Sequence, residues 1–205
     1  LKSQGYELIA GIDEAGRGAG RFRVIAGAVI LPGSYLPWFK FVRDSKELSP
    51  QERERLFPLI GQEAIAIGVG SVSHQMIDTV NILEATKLAM MQAIEKLPRQ
   101  PQSLLIDGLA LSRCSIPQER IIRGDKLCLS IACASIIAKV TRDRLMEGFD
   151  KVYPGYGLAK HKGYATGEHI YRLKELGPSP IHRLSFAPVR NVIASYVPSP
   201  LKGED

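Results

Sequence analysis

The stretch "LIAGIDEAGRGAG", residues 8–20, carries an apolar run straight into two adjacent acids, Asp13 and Glu14, and then into glycines at 16, 18 and 20. The run has the composition of a buried strand, so the acids stand at or just past its carboxyl end. Successive residues of a regular strand face opposite ways, so Asp13 and Glu14 are expected to share a site where the strand breaks. Gly16 and Gly18 supply that break: they tolerate positive φ and leave no side chain between backbone and ligand, while Arg17 brings a charge to the same place. Acids suited to a metal thus sit beside backbone suited to a phosphate or sugar. The spacing is not G-x-G-x-x-G and no Walker lysine follows, which argues against a nucleotide cofactor.

Outward from this stretch, strands and helices alternate. "RVIAGAVIL" (23–31) reads as a second buried strand and "EAIAIGVG" (63–70) as a third, while "SLLI" (103–106) and "RII" (120–122) are short strand candidates. "SPQERERLFPLI" opens with Ser49, Pro50 and Glu52, a capping box with proline at the first helical position. "NILEATKLAMMQAIEKL" repeats that logic with Asn81 and Glu84. A long helix is expected from about Lys126 into the 140s, and "TGEHIYRLKEL" is a further helix stopped by Gly177 and Pro178. The alternation predicts an α/β fold layered around one sheet, in a single domain over residues 1–197 with a frayed tail at 198–205.

Three acids share one local context: Asp13 follows "LIAGI", Asp107 follows "SLLI" and Asp125 follows "RIIRG". If the three strands are parallel neighbours, their carboxyl ends open on one edge, where α/β sheets place ligands. Convergent carboxylates raise one another's pKa unless a cation sits among them. Oxygen donors without Cys or His clusters select Mg²⁺ or Mn²⁺ over Zn²⁺. His74, His161, His169 and His182 lack zinc spacing and read as surface or substrate-side groups. The plainer reading stays open, since loops favour Asp and Asp125 stands where it would cap a helix starting at Lys126. Asp143 is not counted with the set: along an unbroken helix at ~1.5 Å per residue it lies roughly 27 Å from Asp125, and Lys139, four residues earlier, is its expected partner.

The chain has 205 residues, a formal net charge of +6 and a hydrophobic fraction of 45%. These are globular proportions, and the cationic excess favours a polyanionic partner. An odd count of three cysteines, two of them within "LCLSIACASIIA", points to reduced thiols and a cytoplasmic setting. That run is too short to span a bilayer, so no membrane partner is expected.

In order and spacing, "GIDEAGRG", "DSKELS", "IDG", "GDKLCLSIACASIIAKVTRDR", "HKGYATGEH" and "GPSPIHRLSFAP" resemble bacterial-type ribonuclease HII, from about residue 8 to residue 190. The resemblance implies a ribonuclease H-like fold, a mixed sheet flanked by helices with a helical C-terminal segment. It implies an endonuclease that cuts the RNA strand of RNA/DNA hybrids and cuts at ribonucleotides embedded in duplex DNA, by a two-metal mechanism using Mg²⁺ or Mn²⁺ and leaving 3′-hydroxyl and 5′-phosphate ends. The matching motifs imply metal-binding and catalytic roles for Asp13, Glu14, Asp107 and Asp125. They imply substrate-binding roles for Gly16, Arg17 and Gly18, for a phosphate-side Lys46 and for a junction-sensing Tyr164. A monomer working in ribonucleotide excision repair is expected. The acidic motif begins at Asp13, which disfavours the sister type ribonuclease HIII with its extra amino-terminal domain. One departure is marked: "GRGAGRFRV" puts Arg21, Phe22 and Arg23 where the family usually has small residues and proline. Those cations should add phosphate contacts unless Phe22 is a core residue and the arginines point away.

Two rivals remain on sequence alone. One is a metal-independent ribonuclease using His161 and His182 as acid and base, with cyclic phosphate products. The other is a basic hybrid-binding module whose acids are only caps and solvated ends.

Overall fold

The computed structural model describes residues 5–17 and 22–196. A five-stranded mixed sheet has the order β3-β2-β1-β4-β5, built from β1 (Ile9–Ala15), β2 (Val24–Ile30), β3 (Ala66–Val72), β4 (Ser103–Asp107) and β5 (Gln118–Ile121). The strands β1, β2 and β3 pair antiparallel in succession, and β4 and β5 run parallel to β1. Three carboxyl ends, those of β1, β4 and β5, therefore share one edge of the sheet.

One face of the sheet packs on α3 (Ile82–Glu95): Ala10 and Ile12 of β1 and Val24, Ala26 and Ala28 of β2 join Ala85, Ala89 and Ala93 in a core. The opposite face packs on α5 (Leu129–Val152), flanked by α1 (Pro50–Glu63) and a 3-10 turn at Pro37–Phe41 that supplies Trp38 and Phe39. Small residues set how close α5 comes. A Cβ on Gly11 would lie 2.2 Å from the backbone carbon of Ser130, and one on Gly27 would lie 2.5 Å from the carbonyl of Ala134. A third, helical layer follows in α6 (Leu158–His161), α7 (Gly167–Leu176) and α8 (Ala187–Tyr196), the helical C-terminal segment expected from the resemblance.

Capping at Ser49 is as the sequence predicts, with the hydroxyl accepting from Glu52 N–H and the Glu52 side chain accepting from Ser49 N–H. Several expectations need correction. The helix expected from Lys126 is two helices, α4 (Gly124–Leu127) and α5, separated at an extended Cys128. The third strand starts at Ala66, because α1 holds the chain as far as Glu63. Asn81 caps α3 by accepting from Leu83 and Glu84 N–H, but the Glu84 carboxylate goes to Lys87 at 2.7 Å instead of returning to the cap. A further helix, α2 (His74–Val80), ends at that same Asn81, whose φ of 72° lets the chain turn from one helix into the next. Among the described residues, no helix is long and apolar enough to cross a membrane.

Candidate active site

Asp13 and Glu14 do not sit at a break. Regular pairing with β2 continues through Asp13↔Gly27, Glu14↔Ala26 and Ala15↔Ile25, and the chain leaves the strand only at Gly16, whose φ is +113°. The two acids therefore project from opposite faces of one strand. Both still feel the charge of Asp107, where β4 ends one residue beyond the Ile12↔Ile106 pair. Burial, then the charges of Glu14 and Asp107, push the Asp13 carboxyl well above the ordinary carboxylate range. Burial also raises Glu14, opposed by Arg17, whose Nη1 lies 3.4 Å from Glu14 Oε1.

Each acid is fixed by a group the fold delivers. Asp13 Oδ1 accepts from Glu14 N–H at 2.7 Å, and the neighbouring Ser135 hydroxyl of α5 works against the rise in its pKa. The close approach of α5 at Gly11 brings Ser135 to that place. Asp107 Oδ1 accepts from Gly124 N–H at 2.6 Å, and a Cβ on Gly124 would come within 2.5 Å of Ile131 Cδ1, so a larger residue there would make that side chain shift. Asp125 is the next residue, 5% exposed in the first turn of α4. It does not cap a helix; Arg123 holds the cap position in a left-handed conformation, and Asp125 Oδ2 faces Lys46 Nζ at 3.5 Å. Burial, then Asp44 and Asp107, raises the Asp125 pKa, with Lys46 opposing.

Lys46 belongs to a loop tied down on several sides. Ser45 and Ser135 share a buried 2.7 Å hydrogen bond, Arg53 donates to the carbonyls of Ser45 and Leu48, and Lys46 N–H donates to Asp44 Oδ1 at 2.9 Å. Partial burial works against the Lys46 ammonium, but Asp44, Asp125 and Asp13 outweigh it and hold its pKa up. Ser135 thus touches both the Asp13 and the Lys46 sides of the site. It was not legible in "SIACASIIAKV", where it looks like one more small residue of a buried helix.

No three of the described His, Cys, Asp or Glu side chains meet around a point as a ready cage for one ion. The four acids instead line a rim along the carboxyl edge of the sheet. Their chemistry fits a hard cation: the donors are carboxylate oxygens, Glu14 Oε2 is buried without a hydrogen-bond partner, and three of the acids carry raised pKa values that a divalent charge would relieve.

On the substrate side, Gly16 and Arg17 border the acids; Gly18 and Arg21 lie outside the described residues. A Cβ at Gly16 would meet the Arg23 carbonyl at 2.5 Å, so glycine is required there for space as well as for φ. The Tyr164 ring is 45% exposed and lies over two cations, with Arg142 at 5.4 Å and Lys139 at 5.7 Å from the ring centroid. Sequence reasoning missed Arg142. Its guanidinium is buried, donates to the Lys162 carbonyl at 2.8 Å, and leaves Nε and Nη1 without a hydrogen-bond partner. Asp143 pairs with Lys139 at 2.8 Å as expected, and also with Arg142 and Arg53.

The histidines correct a further expectation. All four are buried, none more than 8% exposed, so they are not surface groups. Phe22 is buried too, between His169, His182 and Gly163. Arg23 turns toward β3, with Nη1 3.3 Å from Ser71 Oγ.

Residues 10–189 match the ribonuclease HII family profile. The chain is 53% identical over 194 residues to ribonuclease HII of Dehalococcoides mccartyi strain BAV1, covering 94% of this chain and 92% of that one. It is 53% identical over 188 residues to ribonuclease HII of Geobacter sulfurreducens, covering 91% and 85%. The crystal structure of ribonuclease H2 from Pyrococcus horikoshii OT3 superposes with a TM-score of 0.78 at 24% identity, over 93% of this chain and 99% of that one. With the mixed sheet and the acids at its carboxyl edge, these matches establish that the chain belongs to the ribonuclease HII family, metal-dependent endonucleases acting on the RNA of RNA/DNA hybrids.

Proposed function

We propose that this chain cuts the RNA strand of RNA/DNA hybrids and also cuts at single ribonucleotides embedded in duplex DNA, with Asp13, Glu14, Asp107 and Asp125 holding two Mg²⁺ or Mn²⁺ ions. The observation that carries this reading is that three parallel strand ends share one edge, two bearing their acids and the third leading through a short turn to Asp125 in α4, with Asp107 acting on both Asp13 and Asp125. Divalent ions held there would lower the pKa of an attacking water and stabilise the leaving 3′-oxygen. The chain's own residues do the positioning. Ser135 and the Gly124 N–H keep Asp13 and Asp107 from turning away. Lys46, tethered between Asp44 and Asp125, offers its ammonium to a backbone phosphate. The backbone from Gly16 to Gly18 reads the 2′-hydroxyl, the group that tells RNA from DNA at one nucleotide. Tyr164, exposed and backed by two cations, stacks at the junction with the following deoxynucleotide.

The metal-independent rival loses ground on a specific observation. His161 and His182 are buried and hydrogen-bonded to Tyr156, Gly163 and Ser179, so neither ring nitrogen pair faces a phosphate. The three thiols are unpaired, in keeping with a reducing, cytoplasmic setting. The test is a duplex carrying one ribonucleotide, incubated with Mg²⁺, with Mn²⁺ or with chelator, and the product ends mapped. Cleavage confined to the metal-containing samples, with 3′-hydroxyl and 5′-phosphate ends, is expected. Chelator-resistant cleavage giving cyclic phosphates would overturn the reading.

A further inference from the structure

Beneath Tyr164 lies a buried pair of histidines, His169 at 0% and His182 at 1% exposure, which the proposed chemistry does not use. Their hydrogen bonds have a direction. Ser179 N–H donates to His182 Nδ1 at 3.0 Å, and the Ser179 hydroxyl stands 2.7 Å from the same nitrogen. A nitrogen that accepts a backbone N–H has no proton, so the His182 proton sits on Nε2. That nitrogen is 3.2 Å from His169 Nε2, which must accept, leaving the His169 proton on Nδ1. His169 Nδ1 is 3.1 Å from the Tyr164 carbonyl, to which it donates. One proton arrangement therefore satisfies the whole run from Ser179 to Tyr164 with both rings neutral. An imidazolium at His169 would set two N–H groups head to head across 3.2 Å, and one at His182 would set its Nδ1–H against the Ser179 N–H across 3.0 Å.

The rings are held in place from the sides. His161, itself fixed by Gly163 N–H on Nδ1 and the Tyr156 carbonyl on Nε2, stacks on His169 at 4.2 Å between centroids. Phe22 stacks on His169 and packs against His182, and Tyr156 packs against His182 from its other neighbours. The strut thus joins three segments that meet nowhere in sequence: the end of the glycine loop through Phe22, the Tyr164 turn, and residues 179–182. The turn it supports is bent sharply, with Lys162 at φ 49° and Gly163 at φ 77°, and its carbonyl at Tyr164 also accepts from Thr166 N–H at 2.8 Å.

We infer that His169 and His182 form a proton-ordered strut that holds the Tyr164 turn in place against Phe22, making both histidines positioning residues for recognition of a single ribonucleotide. This rests on the reading of Tyr164 as the junction sensor. His182 reaches the Tyr164 turn through its hydrogen bond to His169 and through Phe22, which packs against both His182 and Gly163; only the first route depends on a donor at Nε2.

The test compares the ratio of kcat/KM on a single embedded ribonucleotide to kcat/KM on a long hybrid for wild type, His182→Leu, His182→Gln and Tyr164→Ala. The Gln amide nitrogen falls where Nε2 stands and can donate to His169, whereas Leu cannot. His182→Leu should lower the ratio about fivefold, the equivalent of one hydrogen bond's net contribution, and His182→Gln should restore most of it. A folded His182→Leu protein with an unchanged ratio, beside a Tyr164→Ala protein that loses it, overturns the strut and leaves the Tyr164 reading standing. An unchanged ratio in Tyr164→Ala overturns that reading instead. Nitrogen-15 spectra of the wild-type imidazoles decide the strut independently of folding in the variants. The Nδ1–H form at His169 and the Nε2–H form at His182 are expected, and Nε2–H at both, or an imidazolium at neutral pH, would overturn it.

Discussion

Asp13 shows at the scale of one residue how an acid proposed to hold a metal burdens the fold that carries it. Burial first, then Glu14 and Asp107, raise its pKa well above the ordinary carboxylate range. A carboxyl with a raised folded pKa binds its proton more tightly in the folded than in the unfolded chain. In the ion-free protein it is therefore neutral in its effect below the unfolded carboxylate pKa of about 4. Stability is then lost as pH rises from there through the raised folded value. Asp13→Asn removes that penalty, so in chelator at neutral pH the variant should melt higher than wild type, by ~2–4 °C for each kcal/mol relieved. The gap should close at acid pH, and added Mn²⁺ should raise the wild-type melting temperature while leaving the variant nearly unmoved. A variant that melts lower than wild type in chelator at pH 7 would show that Asp13 is not the burdened acid. Asp107→Asn tests the catalytic assignment at the same scale. It keeps the shape that accepts from Gly124 N–H and should abolish cleavage while hybrid binding survives. Asp143→Asn, whose partners are Lys139, Arg142 and Arg53 away from the acids, should retain turnover and lose about 3 kcal/mol of stability, because the pairs are largely buried and their cations would be left without a counter-charge.

Elements bring those residues together, and the closest approach in the fold decides how. On one face of the sheet a Cβ at Gly11 would strike the Ser130 backbone of α5, and on the other a Cβ at Gly68 would strike the Ala93 carbonyl of α3. Gly11→Ala and Gly68→Ala should each cost roughly 1–3 kcal/mol, as overpacking does. Their effects on activity should differ. Displacing α5 carries Ser135 away from both Asp13 and Ser45, while displacing α3 moves no residue of the site. Denaturant melts and kcat/KM on a hybrid, measured below either melting temperature, should show equal destabilisation with loss of turnover in Gly11→Ala alone. The same elements show what a sequence makes legible. The apolar runs ending in Asp13 and Asp107 announce their strands, and the three-acid edge follows from local pattern plus the parallel-neighbour rule. The interruption of α4–α5 at Cys128 does not announce itself, because it is imposed by tertiary packing of Gly124 against Ile131 and Asp107, not by a proline or glycine at the break. The burial of His161, His169 and His182 was hidden because their hydrogen-bond partners, three to five residues away, match the rings only once Phe22, from far along the chain, packs on His169 and His182. Arg142 escaped notice because its partners, Lys162 and Tyr164, come from a different layer.

Across the whole molecule, the formal charge of +6 becomes affinity for a polyanion only where cations face the nucleic acid. The unusual Arg21-Phe22-Arg23 segment divides on this point. Phe22 is core, packed with Met146, Tyr156 and Leu158 against His169, so Phe22→Ala should cost about 3–5 kcal/mol through the cavity it leaves. Arg23 is drawn back to Ser71 on β3, whereas Lys46 is 78% exposed at its side chain and sits on the acid-bearing edge. Salt dependence of binding separates the two. With Asp107→Asn as background to prevent cleavage, the slope of log affinity against log salt on duplex DNA should fall by about 0.9 for Lys46→Ala, the value of one phosphate contact. Arg23→Ala should leave that slope where it was. Were Arg23→Ala to flatten the slope as much as Lys46→Ala, the Ser71 contact would have to release on binding, and the segment joining β1 to β2 would belong to the nucleic-acid surface and not to the core.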